Sequence, residues 1–134
     1  MKAVFLVKKG KAETAFEIRE TPVPGPKSGE VLVMVEAFGL NYAEIMARNG
    51  LYRDAPTIPC ILGYEVVGTI FSVGENVDKN IVGQRVVAFT RFGGYAEYAV
   101  TPVEGLALLS IWMPALVAAL QHNMLPPGTW PKIV

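Results

Sequence analysis

The stretch Val31-Leu32-Val33-Met34-Val35-Glu36-Ala37-Phe38-Gly39-Leu40-Asn41-Tyr42-Ala43-Glu44 decides the fold. In its first part Val31, Val33 and Val35 share one face of an extended chain, and Leu32, Met34 and Glu36 share the other. Apolar residues dominate both faces, as they do in a strand with neighbours on each side, so Val31 to Phe38 is expected to be a central strand. From Leu40 the two-residue period stops. Leu40, Ala43, Ile45, Met46 and Ala47 fit a short helix that Asn49-Gly50 ends, with Asn41 near its start.

Upstream, Met1 to Val7 is a dense apolar run ended by Lys8-Lys9-Gly10, and Ala15 to Thr21 alternates Phe16 and Ile18 with Glu17 and Arg19. These two runs should pair as a hairpin. Thr21-Pro22-Val23-Pro24-Gly25-Pro26 lacks backbone donors at three positions and reads as an extended surface connection.

Downstream, Leu51 to Leu62 holds Pro56 and Pro59 and should be a loop that returns Tyr52 and Cys60 toward the sheet. Tyr64 to Val73 reads as a strand interrupted by Gly68, where a missing side chain marks a bulge or a close backbone approach. Gly74-Glu75-Asn76 turns the chain, Val86 to Phe89 forms a strand, Gly93-Gly94 turns again, and Tyr95 to Val100 returns. The count is six or seven strands, one short helix and one long loop. After Pro102 the pattern looks helix-forming, and the apolar run Leu106 to Leu120 is expected to be buried helix. It carries Pro114 and falls short of the ~20 residues that span a bilayer.

With 134 residues, 51% of them hydrophobic, and a formal net charge of zero, the composition is that of one globular domain. No basic run exceeds Lys8-Lys9, so neither nucleic acid nor an anionic membrane is an expected partner. A single cysteine, Cys60, excludes an internal disulfide, and with the one histidine, His122, it cannot build a zinc set. No metal is therefore expected. Cys60 follows Pro59 in apolar surroundings and reads as an inert buried thiol. The N-terminus lacks a charged region followed by an apolar one, so no secretory signal is read there and the cytoplasm is the expected compartment.

Neither G-x-G-x-x-G nor a Walker pattern occurs, so no dinucleotide cradle is expected within this chain. What remains is a polar and aromatic cluster. Asn41 offers an amide, Tyr42, Tyr52 and Tyr64 offer hydroxyls on flat apolar bodies, and Glu65 a carboxylate. Together they are candidates to line a cleft for a planar molecule. Glu65 is alternatively a partner for Arg85 or Arg91.

Gly39-Leu40-Asn41-Tyr42-Ala43-Glu44, Arg48-Asn49-Gly50-Leu51-Tyr52, Gly63-Tyr64-Glu65-Val66-Val67-Gly68, Gly83-Gln84-Arg85-Val86 and Gly94-Tyr95-Ala96-Glu97-Tyr98 follow one another in order. This series resembles the medium-chain dehydrogenase/reductase superfamily, in its zinc-free quinone oxidoreductase-like branch. The resemblance covers roughly residues 1 to 109. It implies a mainly β, GroES-like, partly open β-barrel with one short internal helix and a C-terminal helix.

Zinc-dependent relatives carry a cysteine ligand where Asn41 stands and a histidine ligand where Tyr64 stands. The resemblance implies a reductase that moves a hydride from NADPH to a small planar quinone or enone. It places Asn41 and Tyr52 near nicotinamide and substrate, with Tyr64 as a further catalytic candidate and Tyr42 beside Asn41 on the cofactor side. Leu62 and Gln84 depart from the usual proline and aspartate.

The family's nicotinamide-binding Rossmann domain would follow Leu109. Residues 110–134 instead read as a helix and a closing strand, Trp130 to Val134, so this chain by itself is expected to bind no cofactor and to be inactive. An alternative is a GroES-like interaction module, homodimeric through the exposed interdomain face.

Overall fold

A computed structural model describes residues 1–109. Eight strands and two short helices occur among them. Strands β1 (Lys2–Leu6) and β2 (Phe16–Glu20) form the expected antiparallel hairpin, with Lys2 opposite Glu20 and Leu6 opposite Phe16. One turn of helix, α1 (Ala12–Ala15), lies between them and was not anticipated. Its Ala15 is fully buried, and the Ala15 carbonyl accepts the Val7 N–H, so the turn seals the hairpin end against the core.

The long strand β3 (Glu30–Phe38) is central, as its two apolar faces require. It lies between β5 (Glu65–Val73) and β7 (Tyr98–Pro102). Strand β6 (Arg85–Phe89) pairs with the far side of β5, and β8 (Leu106–Leu108) with the far side of β6. The five-stranded antiparallel sheet thus has the order β7-β3-β5-β6-β8. A smaller sheet, β2-β1-β4, uses the two-residue strand β4 (Cys60–Ile61) at the end of the proline-bearing loop. The two curl around one core that includes Leu6, Val31, Val33, Leu62, Val66, Ile70 and Val86. This is the partly open, mainly β barrel that the sequence led one to expect.

Three expectations need correction. Leu106–Leu108 is a strand, not the start of a helix. A leucine-rich run is compatible with either period, and here the unpaired edge of β6 decides: Val86, Val87 and Ala88 take Leu108, Ala107 and Leu106 as partners. The last strand of the return also begins later than Tyr95. Residues 95–97 instead bind β1, through Val4 N–H on the Tyr95 carbonyl and Glu97 N–H on the Lys2 carbonyl, before the chain crosses to the larger sheet. The strand count, finally, exceeds the six or seven expected, because β4 and β8 are too short to show a period. The expected C-terminal helix and the closing strand lie outside the described residues.

Gly68 has the close backbone approach its position suggested. A Cβ there would collide with the carbonyl oxygen of Met34 across the β3–β5 pair. Register shifts between Leu32 and Val33 and between Val35 and Ala37 bend β3 on either side of this contact. Among the described residues no helix is long and apolar enough to cross a membrane.

Candidate functional site

Helix α2 (Tyr42–Asn49) begins where the period of β3 fails. Asn41, in extended conformation, is its N-cap, and the Glu44 carboxylate reaches back to accept the Asn41 N–H at 2.6 Å. Asn-x-x-Glu is the spacing of a capping box, so this half of the arrangement was readable in the sequence. At the other end Gly50, at φ 74°, closes the helix, and Arg48 is tied to Gly10 by Nη1 on the Gly10 carbonyl and by the Gly10 N–H on its own carbonyl. Both ends of α2 are thus fixed to the sheets.

Glu44 is only 4% exposed. Its second oxygen accepts the Tyr64 N–H at 3.3 Å, so one carboxylate joins the start of α2 to the start of β5. Burial pushes its pKa up, and the N–H of Asn41 is the largest opposing influence. The capping spacing announces the bond to Asn41, and nothing in the sequence announces the bond to Tyr64.

Asn41 Nδ2 donates to Glu65 Oε1 at 2.9 Å. This answers the question of the Glu65 partner: Arg85 is engaged by Glu36 instead, at 2.7 Å on the outer face of the sheet, with Thr69 Oγ1 on the other Glu36 oxygen. Gly39 makes the Asn41–Glu65 contact possible, because a Cβ at position 39 would overlap Glu65 Oε1.

Beside this pair lies an open cleft of about 460 Å³ lined by Asn41, Ala43, Tyr64, Glu65, Phe89 and Arg91. Tyr64 forms an aromatic row with Tyr52, edge-on at 6.1 Å between centroids, and with Phe92 at 5.2 Å. The Tyr64 hydroxyl is enclosed and has no hydrogen-bond partner. Its pKa is raised, first by burial, then by the neighbouring Tyr52 hydroxyl and the charges of Glu44 and Asp54. These influences favour the neutral phenol.

The structure brings Asn41, Tyr64 and Glu65 together at the cleft and sets Tyr52 behind Tyr64. Tyr42 is 74% exposed on the first turn of α2 and does not line the cleft. Phe89 and Arg91 do line it, and neither was singled out for a role there. Phe89 sits at the end of a strand that reads as core, and nothing in the local sequence announces the turn that carries Arg91. Cys60 is buried, which raises its thiol pKa. Among the described residues no three His, Cys, Asp or Glu side chains converge as a metal site would need.

Residues 27–111 match the alcohol dehydrogenase GroES-like domain. The chain belongs to that family. Within it the chain is a quinone oxidoreductase-like member of the medium-chain dehydrogenase/reductase superfamily, and it covers the GroES-like part. It is 39% identical to human quinone oxidoreductase over 100 residues, which are 74% of this chain and 30% of that protein. It is 33% identical to the human synaptic vesicle membrane protein VAT-1 homolog over 120 residues, 80% of this chain and 30% of that protein.

Among solved structures, the human VAT-1 homolog-like protein superposes with a TM-score of 0.79 at 32% identity, covering 84% of this chain and 36% of that one. A mycobacterial protein complexed with NADPH gives 0.78 at 32% identity, covering 89% and 37%. This GroES-like chain thus spans well under half the length of the relatives it matches.

Proposed function

We propose that this GroES-like chain forms the acceptor-side wall of the active site of an NADPH-dependent reductase for small planar quinones or enones. The observation that carries this reading is the open cleft, where the Asn41 amide and the flat Tyr64 ring stand on a β-framework. A flat carbonyl compound seated against the Tyr64 ring would find the Asn41 amide within the same wall. In this reading the Asn41 amide orients the acceptor and donates to its oxygen, Tyr64 supplies the flat catalytic surface it stacks on, and Tyr52 holds the Tyr64 ring edge-on.

The residues suit the nicotinamide end of the cofactor and not its phosphates. The cleft is wide and apolar enough for a flat ring, but among the described residues no glycine-rich turn opens a helix that would cradle a pyrophosphate. Bound NADPH supplies the hydride, and with one proton it reduces the quinone to the hydroquinone. This wall positions the acceptor and stabilises charge on its oxygen. Asn41 and Tyr64 stand where zinc-dependent relatives have ligands, so we assign this work to the remaining Asn41 amide donor without a metal.

The cofactor half would be a Rossmann domain, in the same protein or in a partner. An exposed apolar face beside the cleft, Leu40, Tyr42, Ile45 and Leu51, suits such a neighbour and gives Tyr42 its place toward the cofactor. The 134-residue chain by itself is then inactive. Titration of the chain with NADPH and with menadione, together with a turnover assay, tests this. Menadione binding without measurable NADPH binding or turnover is the expected result, and micromolar NADPH affinity or steady quinone reduction would refute it. Light scattering tests the alternative of a homodimeric module: a stable dimer closed over Tyr42 and Leu51 would replace the interdomain reading of that face.

A further inference from the structure

We propose that Arg91 is a specificity-determining residue of this cleft, and that it selects an acceptor carrying an anionic substituent beside its quinone or enone ring. The inference rests on the reading of the cleft as an acceptor site and adds the charge of the ligand.

Arg91 stands at the centre of a γ-turn. Its φ is 58°, and the Phe92 N–H closes on the Thr90 carbonyl at 2.6 Å. A residue with a Cβ adopts positive φ at a cost, so the surroundings must impose it. Here they do so on both sides. Thr90 donates its N–H to the Tyr64 carbonyl and its hydroxyl to the Gly63 carbonyl, at 2.8 and 2.7 Å, while Gly93 donates to the Ile61 carbonyl and Phe92 lies against the Tyr64 ring. Glycine would take this position without strain. An arginine held there instead lines the cleft on an anchored backbone, with its side chain exposed.

That guanidinium has no ion pair and no side-chain hydrogen bond among the described residues. The carboxylates nearest the site are otherwise engaged. Glu65, in the same cleft, accepts from Asn41, and Glu44 is buried under two backbone N–H groups. Asp54 acts on the Tyr64 hydroxyl and forms no ion pair with Arg91. The cleft therefore carries its negative charge at the Asn41 end and an unneutralised, fork-shaped donor set at the Arg91 end. A guanidinium is the side chain best shaped to take a carboxylate or sulfonate through two parallel hydrogen bonds.

The experiment compares two naphthoquinones that differ at one ring position, menadione and the analogue in which a sulfonate replaces the ring methyl. Binding to the full 134-residue chain is measured calorimetrically at low and at physiological salt. The sulfonate should bind on the order of tenfold more tightly, from one charge-assisted contact, and salt should shrink the preference. Arg91→Gly, which suits the positive φ, and Arg91→Asn, which tolerates it, should bring the ratio of sulfonate to menadione affinity to about one. Arg91→Lys should keep part of it. Thermal melts establish that each variant is folded.

Equal affinities in the unaltered chain, or a preference that survives both neutral variants, would overturn the proposal. An Arg91-dependent sulfonate preference without menadione binding would uphold this inference and count against the neutral-quinone reading instead.

Discussion

Tyr64 and Glu44 sit one hydrogen bond apart and respond oppositely to their surroundings. The enclosed Tyr64 hydroxyl gives up its water on folding and gains no partner, which costs about 1–3 kcal/mol. Tyr64→Phe should therefore raise the unfolding free energy by about 1 kcal/mol in urea titrations and leave the ring on which a quinone would stack. A destabilised Tyr64→Phe variant would mean that the hydroxyl is used structurally. Glu44 is the reverse case, a buried carboxylate with every contact in use.

The pKa of Glu44 is raised in the folded state, so between the ordinary carboxylate value and the raised one the folded chain binds more proton than the unfolded chain. Its contribution makes stability fall as pH rises through that window, and level off above it. Glu44→Gln should flatten the difference in melting temperature between about pH 4.5 and neutrality. It should also loosen the link to the Asn41 and Tyr64 N–H groups, visible as faster amide exchange at both.

At the scale of elements, the site depends on how closely β3 and β5 approach and on how α2 is held at both ends. Gly68→Ala would drive a methyl group into the Met34 carbonyl, and the backbone cannot swing aside as a long side chain could. A loss of about 2–4 kcal/mol is expected in chemical unfolding, large for a single methyl. The sequence announced this contact because a glycine weakens the interior of an otherwise regular strand and is kept there where a Cβ has no room. It also announced β3, α2 and the Asn41 cap, each through a pattern several residues long.

It did not announce the short β4 and β8, whose pairing is decided by the edges of β1 and β6 and not by their own residues. Nor did it show that Glu65 would turn to Asn41 and leave Arg85 to Glu36. Those choices depend on Gly39 making room and on strand order, neither of which has a local signature. Arg91 was visible as a charge. Its backbone conformation was not, because the hydrogen bonds that impose it come from Gly63 and Tyr64, in the segment that leads into β5.

For the whole molecule, the two sheets share one core, and Leu62, fully buried between the proline-bearing loop and β5, belongs to it. Leu62→Ala should cost about 2–5 kcal/mol, and both sheets should still melt in one transition. Separate transitions for the hairpin and the larger sheet would contradict a common core.

The row of rings formed by Tyr52, Tyr64 and Phe92 also gives the molecule a built-in optical signal. Rings held at fixed angles in an asymmetric setting produce near-ultraviolet circular dichroism, and Tyr64 is at once the middle ring of the row and part of the cleft wall. A flat ligand laid against it should change that spectrum with no label attached, and in Tyr64→Leu the change should disappear while the far-ultraviolet spectrum of the sheets stays the same.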